Sequence, residues 1–182
     1  EPGMRFHYYE SSAEMSPEPR IGLKVNLANR LRFKFAGGLF SQNIISTDSD
    51  RDVVNLFTGY ISEPEDLKFE NGKPVESRLQ KARHIITGFE IDITEDLEFN
   101  IEPYFKDFNQ LINVRRNRVQ SDQSVYVVET GTAKGIDLLL KYDFNYFYVW
   151  LSYSLGYIDR FVGETRYYPN YDRRHNANAI LA

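Results

Sequence analysis

Leu31-Arg32-Phe33-Lys34-Phe35-Ala36-Gly37-Gly38-Leu39-Phe40-Ser41-Gln42 alternates with a period of two. Leu31, Phe33, Phe35, Gly37 and Leu39 point one way, while Arg30, Arg32, Lys34, Ala36 and Gly38 point the other. Such alternation belongs to an extended strand, because successive side chains leave opposite faces of a pleated backbone. One face is greasy and the other is charged or small. Just upstream, Ile21, Leu23, Val25 and Leu27 oppose Arg20, Gly22, Lys24 and Asn26, and Ala28-Asn29 makes a tight reversal between the two runs. Together they predict an antiparallel hairpin.

The same unit recurs downstream. Ile85, Thr87, Phe89, Ile91 and Ile93 oppose Gly88, Glu90 and Asp92; after Glu95-Asp96, the set Leu97, Phe99, Ile101, Pro103 and Phe105 opposes Glu98, Asn100, Glu102, Tyr104 and Lys106. Pro103 cannot donate to a ladder and is expected to mark an edge or a bulge. A third hairpin aligns Ile136, Leu138, Leu140 and Tyr142, turns at Phe144-Asn145, and returns through Phe147, Val149, Leu151, Tyr153, Leu155 and Tyr157. A seventh strand starts near Arg174. Links 43–80, 113–131 and 159–173 are long and polar, whereas the turns are short, so the connections are expected to alternate strictly in length. Strands of about 9–11 residues joined in this way suit a transmembrane β-barrel with short periplasmic turns and long outer loops. The expected fold is therefore all-β, an antiparallel meander of about seven strands forming part of a large outer-membrane barrel. Tyr142, Phe144, Tyr146 and Phe147 on the turn side, and Tyr153, Tyr157 and Phe161 on the loop side, would suit interfacial girdles.

Composition narrows the function classes. A net charge of -4 provides no basic field for a phosphate backbone, so nucleic acid is not an expected partner. Cysteine is absent, which excludes disulfides and thiolate metal sites. No run of about 18 apolar residues exists, so no transmembrane helix is expected; barrel strands need none.

Several motifs carry a family resemblance. Ser16-Pro17-Glu18-Pro19-Arg20 leading into Ile21-Gly22-Leu23, followed by Phe40-Ser41-Gln42, resembles the barrel of TonB-dependent receptors, with their Pro-x-Pro-Arg segment and aromatic-Ser-Gln strand end. Ala82-Arg83-His84-Ile85-Ile86-Thr87-Gly88-Phe89-Glu90 is similar to the family's Ala-x-His-x-x-Gly-x-Glu strand, and Glu102-Pro103-Tyr104-Phe105-Lys106-Asp107-Phe108 to its Glu-x-Tyr-x-Lys-x-aromatic strand. Gly131-Thr132-Ala133-Lys134-Gly135-Ile136-Asp137, Trp150-Leu151-Ser152-Tyr153-Ser154-Leu155 and Tyr171-Asp172-Arg173-Arg174-His175-Asn176-Ala177-Asn178 continue the series in order. The flavour is that of Bacteroidetes-type receptors, and the resemblance covers the later part of the barrel. It implies a bacterial outer-membrane importer of a siderophore, vitamin, glycan or peptide. It further implies a plug and a TonB box outside residues 1–182, which form a partial barrel domain, and TonB as a partner through that missing region. A surface lipoprotein is another possible partner of such receptors.

No catalytic role is expected. His7, His84 and His175 are far apart in sequence and lack a His-Glu-x-x-His frame, no Gly-x-Ser-x-Gly elbow exists, and Gly37-Gly38 lacks a following Gly-Lys-Ser. Asp48, Asp50 and Asp52 invite a calcium reading, but Val53 stands where a Gly belongs and Gly59 where a Glu is needed. Glu63 and Glu65 decorate the same polar link. No cofactor or metal is therefore expected. His84, Gly88 and Glu90 would share one lumen-facing side, as would Glu98, Glu102 and Lys106, with Arg20, Lys24, Arg32 and Lys34 able to pair with the acids across strands. Arg115, Arg116 and Arg118 form a basic loop tip suited to lipopolysaccharide phosphates or an anionic ligand, and equally to keeping a loop soluble. Arg166, Tyr167, Tyr168 and Tyr171, with Asn170, suit stacking on a small-molecule or oligomeric nutrient, or packing of one loop against its neighbour. Two alternatives stand beside the importer: a TonB-independent outer-membrane channel or secretion component, and a soluble β-sandwich that binds a ligand. A barrel predicts that Ile21, Leu23, Phe33, Phe35, Val149 and Leu151 form a band facing outer-membrane lipid; a sandwich predicts the same face covered.

Overall fold

A computed structural model describes residues 1–48, 59–62, 64, 67, 75, 77–115 and 124–182 of the chain. Among them every regular element is a strand: β1 (Pro2–Tyr9), β2 (Glu14–Ala28), β3 (Leu31–Gln42), β4 (Ile45–Ser46), β5 (Tyr60–Ile61), β6 (Gln80–Asp92), β7 (Leu97–Val114), β8 (Tyr126–Phe144), β9 (Phe147–Val162), β10 (Thr165–Tyr167) and β11 (His175–Leu181). Nine form one antiparallel sheet in the order β1-β2-β3-β6-β7-β8-β9-β10, with β11 also pairing β9; β4 and β5 make a separate small hairpin. No closure joins β1 to β10 or β11 among the described residues.

Period-two alternation sets this sheet because a one-residue slip would move each apolar row to the other face. Val25 pairs with Phe33, Phe33 with Phe89, Phe89 with Ile101, Ile101 with Leu138 and Leu138 with Tyr153. A second apolar row joins Leu31, Ile91, Phe99, Leu140 and Leu151. Across the sheet's thickness lie Lys24, Arg32, Lys34, Glu90 and Glu102. Phe33 and Phe89 meet with ring centroids 5.4 Å apart, the kind of cross-strand aromatic pair that fixes register.

Nothing among the described residues covers the apolar face. Ile21 is 52% exposed, Leu23 48% and Ile85 49%; Leu151 is exposed too, and Phe33, Phe35 and Val149 are half-buried on the same face. The buried hydrophobic cluster is small and sits at the loop end, where Ile45 and Leu67 pack on Ile112 of β7 and Val128 of β8. Ser77 Oγ donates to Glu14 Oε2 at 2.6 Å, and Gln110 Nε2 donates to the Ser77 carbonyl at 2.6 Å, so this loop is tied to both the β1–β2 turn and β7.

The structure corrects several details of the sequence reading. An additional strand, β1, precedes the expected seven and pairs with the first half of β2, Met4 opposite Pro19 and Phe6 opposite Pro17. Its link to β2 is short and lies at the same end as the long links, so the alternation of lengths is not strict. The expected link 159–173 is partly strand: β9 continues to Val162, reverses at Gly163 (φ 58°) and returns as β10. Pro103 stands in an interior strand, opposite Ile136 of β8; on its other side the β6–β7 ladder runs from Ile86–Tyr104 to Phe89–Ile101 without pairing it, as a residue lacking N–H requires. At the turn end, Phe144 and Phe147 face each other, and the two-residue turn is Asn145-Tyr146, with Asn145 at φ 53°, a left-handed conformation that Asn tolerates. Tyr153 lies at mid-height in the apolar row rather than at its loop-side end, whereas Tyr157 pairs with Lys134 near the loop-side limit.

Candidate functional site

The polar face carries two clusters, each built by register. In the half nearer the turns, Arg32 of β3 lies opposite Glu90 of β6, and its guanidinium also reaches Asp92, with Nη1 at 2.6 Å from Oδ2. Lys34 Nζ lies 3.3 Å from Glu90 and 2.5 Å from Glu102, and Lys24 Nζ 3.3 Å from Glu90. Lys24, Arg32 and Lys34 thus pair with acids across strands as the sequence suggested, whereas Arg20 pairs with Glu18 of its own strand at 2.7 Å. Lys106 rests over the Tyr104 ring, and Glu98 accepts from Asn100 Nδ2 at 2.8 Å. Tyr104 also fixes the spacing of the next strands. A Cβ on Gly135 would stand 2.6 Å from Tyr104 Oη and one on Gly156 2.9 Å, so only glycine lets the phenol lie flat across β8 and β9.

Nearer the loops, five side chains from five strands make one row. The Arg20 guanidinium sits 4.5 Å above the Phe40 ring. Phe40 stacks on His84 with centroids 4.4 Å apart, His84 meets the edge of Phe108 at 6.1 Å, and Arg160 lies 6.0 Å from the Phe108 centroid. Guanidinium over an aromatic face is attractive because the ring quadrupole is negative there. Glu18, only 2% exposed, braces the row's first member: it takes Arg20 Nη2 at 2.7 Å and receives Ser41 N and Oγ at 2.9 and 2.8 Å. Residues from four of the quoted motifs, Glu18 and Arg20, Phe40 and Ser41, His84, and Phe108, therefore meet in space.

The loop residues singled out from sequence divide between places. Arg166 donates through Nε to Asp159 Oδ1 at 2.8 Å, on the apolar-face side above the band, and its guanidinium lies 5.2 Å from the Tyr168 ring. Arg174 covers Tyr157 at 4.5 Å and Tyr168 at 5.1 Å. Tyr167 points to the other face, where its hydroxyl donates to the buried Glu129 carboxylate and receives Asn113 Nδ2 at 3.2 Å. Burial, and then the Glu129 carboxylate beside it, push the Tyr167 phenol well above the ordinary tyrosine value. Tyr171 receives Arg160 Nη2 at 2.7 Å. Arg166, Tyr168 and Tyr167 thus pack a loop, and Tyr171 touches the aromatic row through Arg160. Arg115 hydrogen-bonds through its backbone N to the Val125 carbonyl at 2.8 Å; Arg116 and Arg118 lie outside the described residues, as do Asp50, Asp52, Glu63 and Glu65. The backbone N of Asp48 donates to Ser46 Oγ at 3.1 Å.

The row escaped the sequence reading because its members are diagonal neighbours on separate strands, which only the registers bring together. The one signal available was parity: Arg20, Phe40, His84, Phe108 and Arg160 all fall on the polar side of their own strands. No known protein family matches the chain, and no curated protein or solved structure is detectably similar to it.

Proposed function

We propose that the chain is a section of the wall of an outer-membrane β-barrel, of the TonB-dependent receptor type, whose polar face lines the import path for a nutrient. One observation carries this reading: the ion-paired face is the face that bears buried and networked charge, while among the described residues nothing covers the apolar face. In the apolar row from Leu31 to Leu39 the greasy positions span about nine residues, about the height a tilted strand needs to cross a bilayer. Tyr146 (95% exposed) and Phe147 (70% exposed) at the turns, with Tyr142 and Phe144 stacked beside them, sit where an aromatic girdle would. Further strands beyond β1 and β11 would close the barrel and satisfy two edges that are otherwise templates for aggregation. Plug, TonB coupling, lipid contacts and a surface lipoprotein belong to the same proposal through the motifs quoted above.

The soluble-sandwich alternative is disfavoured by that same face, since a sandwich buries its apolar side. A TonB-independent channel shares the wall and differs in what fills it. The test is fractionation of the full-length protein. It is expected in the outer-membrane fraction, to require detergent for extraction, and to migrate faster on electrophoresis unboiled than boiled. Recovery from the soluble fraction without detergent would overturn the reading; membrane recovery with nutrient uptake unchanged on loss of TonB would favour the channel.

A further inference from the structure

We infer that the aromatic row is a binding site for the oxyanion of a small solute, a carboxylate or a phosphate group. A cleft of about 330 Å³ opens on the polar face beside Arg5, Glu18, Arg20, Phe40, His84 and Phe108. Two nitrogens at this cleft are buried with no hydrogen-bond partner among the described residues: Arg20 Nε and His84 Nε2. They flank Phe40 from its two faces, because Arg20 covers one side of the ring and His84 stacks on the other. An Arg20 Nε–H left without an acceptor costs roughly 1–3 kcal/mol, and His84 Nε2 donates in one of its two tautomers, so the two nitrogens around one ring mark a place where a ligand's acceptor belongs.

The charge balance selects the ligand's sign. Glu18, the acid of the cleft, is fully engaged by Arg20 Nη2 and by Ser41 N and Oγ. It therefore acts as a positioning residue that holds the guanidinium edge-on, with Nε–H left over. His7 stands 3.8 Å from the same carboxylate, and Arg5 at the rim adds a further cation. Because both faces of Phe40 are already occupied, the site cannot take a stacking ring between them; it offers an N–H, an imidazole nitrogen and rim cations, the set that meets an oxyanion by charge-assisted hydrogen bonds. The inference rests on the barrel reading only for how a solute reaches this face.

The experiment uses the full-length protein in detergent, labelled with ¹⁵N at histidine, the His84 signal being assigned by its loss in His84→Gln. Citrate and inorganic phosphate are each titrated against chloride at matched ionic strength. A saturable shift of the His84 signal with citrate or phosphate but not chloride is expected, together with at least a tenfold weaker apparent affinity in Arg20→Gln. Calorimetry on His84→Gln, which keeps Arg20 and Glu18, is expected to show a loss in the same direction and serves if Arg20→Gln does not fold. No saturable shift with either anion, or unchanged affinity in both variants, would overturn the inference. Fractionation of the same preparation tests the barrel reading separately, so failure of one is distinguishable from failure of the other.

Discussion

Leu23→Arg puts the orientation of the sheet to a quantitative test. Leu23 faces the apolar side of β2, opposite Phe35 and between Ile21 and Val25. It lies five residues from the turn-end residue Ala28, roughly 16 Å along the strand at about 3.3 Å per residue. A tilt of about 40° reduces this to about 12–13 Å of height, close to the middle of an apolar band about 25 Å tall. Arginine at the midplane of a lipid-facing barrel position costs about 2–4 kcal/mol. At a urea dependence near 2 kcal/mol per molar, the unfolding midpoint of the full-length protein in lipid vesicles would fall by about 1–2 M. The neighbouring Lys24→Leu, on the polar face, removes a largely exposed cation paired with Glu90 and is expected to change stability by less than about 1 kcal/mol. If the face is instead wetted, Leu23 is simply an exposed residue, and its substitution falls within about ±0.5 kcal/mol. An unshifted midpoint for Leu23→Arg in vesicles would therefore refute the assignment of faces.

Gly156→Ala would place a Cβ 2.9 Å from Tyr104 Oη, the far end of a side chain that can tilt off the sheet, so the loss should lie at or below the lower end of the range of about 1–3 kcal/mol for an overpacked site. Tyr104→Phe deletes that oxygen, so a double-mutant cycle of unfolding free energies should recover most of the loss. Arg32→Gln leaves Glu90 and Asp92 without their shared partner. It should lower the unfolding midpoint, with the deficit shrinking as salt is raised in the same denaturation assay. Tyr167→Phe removes a hydroxyl that donates to the buried Glu129 carboxylate and should cost about 1–3 kcal/mol, whereas Arg166→Ala, half exposed at its ion pair with Asp159, should leave the unfolding midpoint nearly unchanged. The same phenol sets an alkaline limit. Its value is raised in the folded protein, so its contribution is complete below the ordinary tyrosine range and is lost as pH rises through the folded value, which ultraviolet titration of phenolate against Tyr167→Phe would detect.

How much was legible depended on whether a stretch was buried on one side or on two. Where one face is bare and the other polar, as in residues 31–42 and 97–106, alternation alone gives strand, face and hairpin partner. Residues 126–130 broke the pattern and read as loop, because Val127 (4% exposed) and Val128 (3% exposed) are both buried, one on each face. The two ladders from β7 also slip, between Phe108 and Leu111 against β8 and between Lys81 and Ala82 against β6. Such a slip moves parity by one and hides the continuation of a strand from a period-two reading. β1 alternates Met4, Phe6 and Tyr8 with Arg5 and His7, but the run is short, and its pairing with the first half of β2 emerges only from the registers. The aromatic row needed tertiary registers, since its members are separated by 20 to 52 residues in sequence, from the 20 between Arg20 and Phe40 to the 52 between Phe108 and Arg160.

A sheet with one charged and one greasy face can be made stable in water in only one sense, with the greasy face covered. The alternative of burying the charged face dry fails on magnitude: desolvating ions costs several kcal/mol each even when paired, and Lys24, at 53% exposed, is plainly wet. Hydrocarbon inverts that preference. Apolar side chains there need no protein partner, backbone groups must be paired along the ladder, and the charges of Arg32, Lys34, Glu90 and Glu102 stay solvated on the other side. The glycines follow from the same geometry. Gly135 and Gly156 let Tyr104 lie flat on the polar face, and Gly38 leaves 2.9 Å between a would-be Cβ and the Arg20 side chain, so long residues bend along the wall instead of projecting across it. The polar face is thereby kept low from the ion-pair cluster to the aromatic row, and in the proposed barrel a solute on this face would meet both sets of donors in turn.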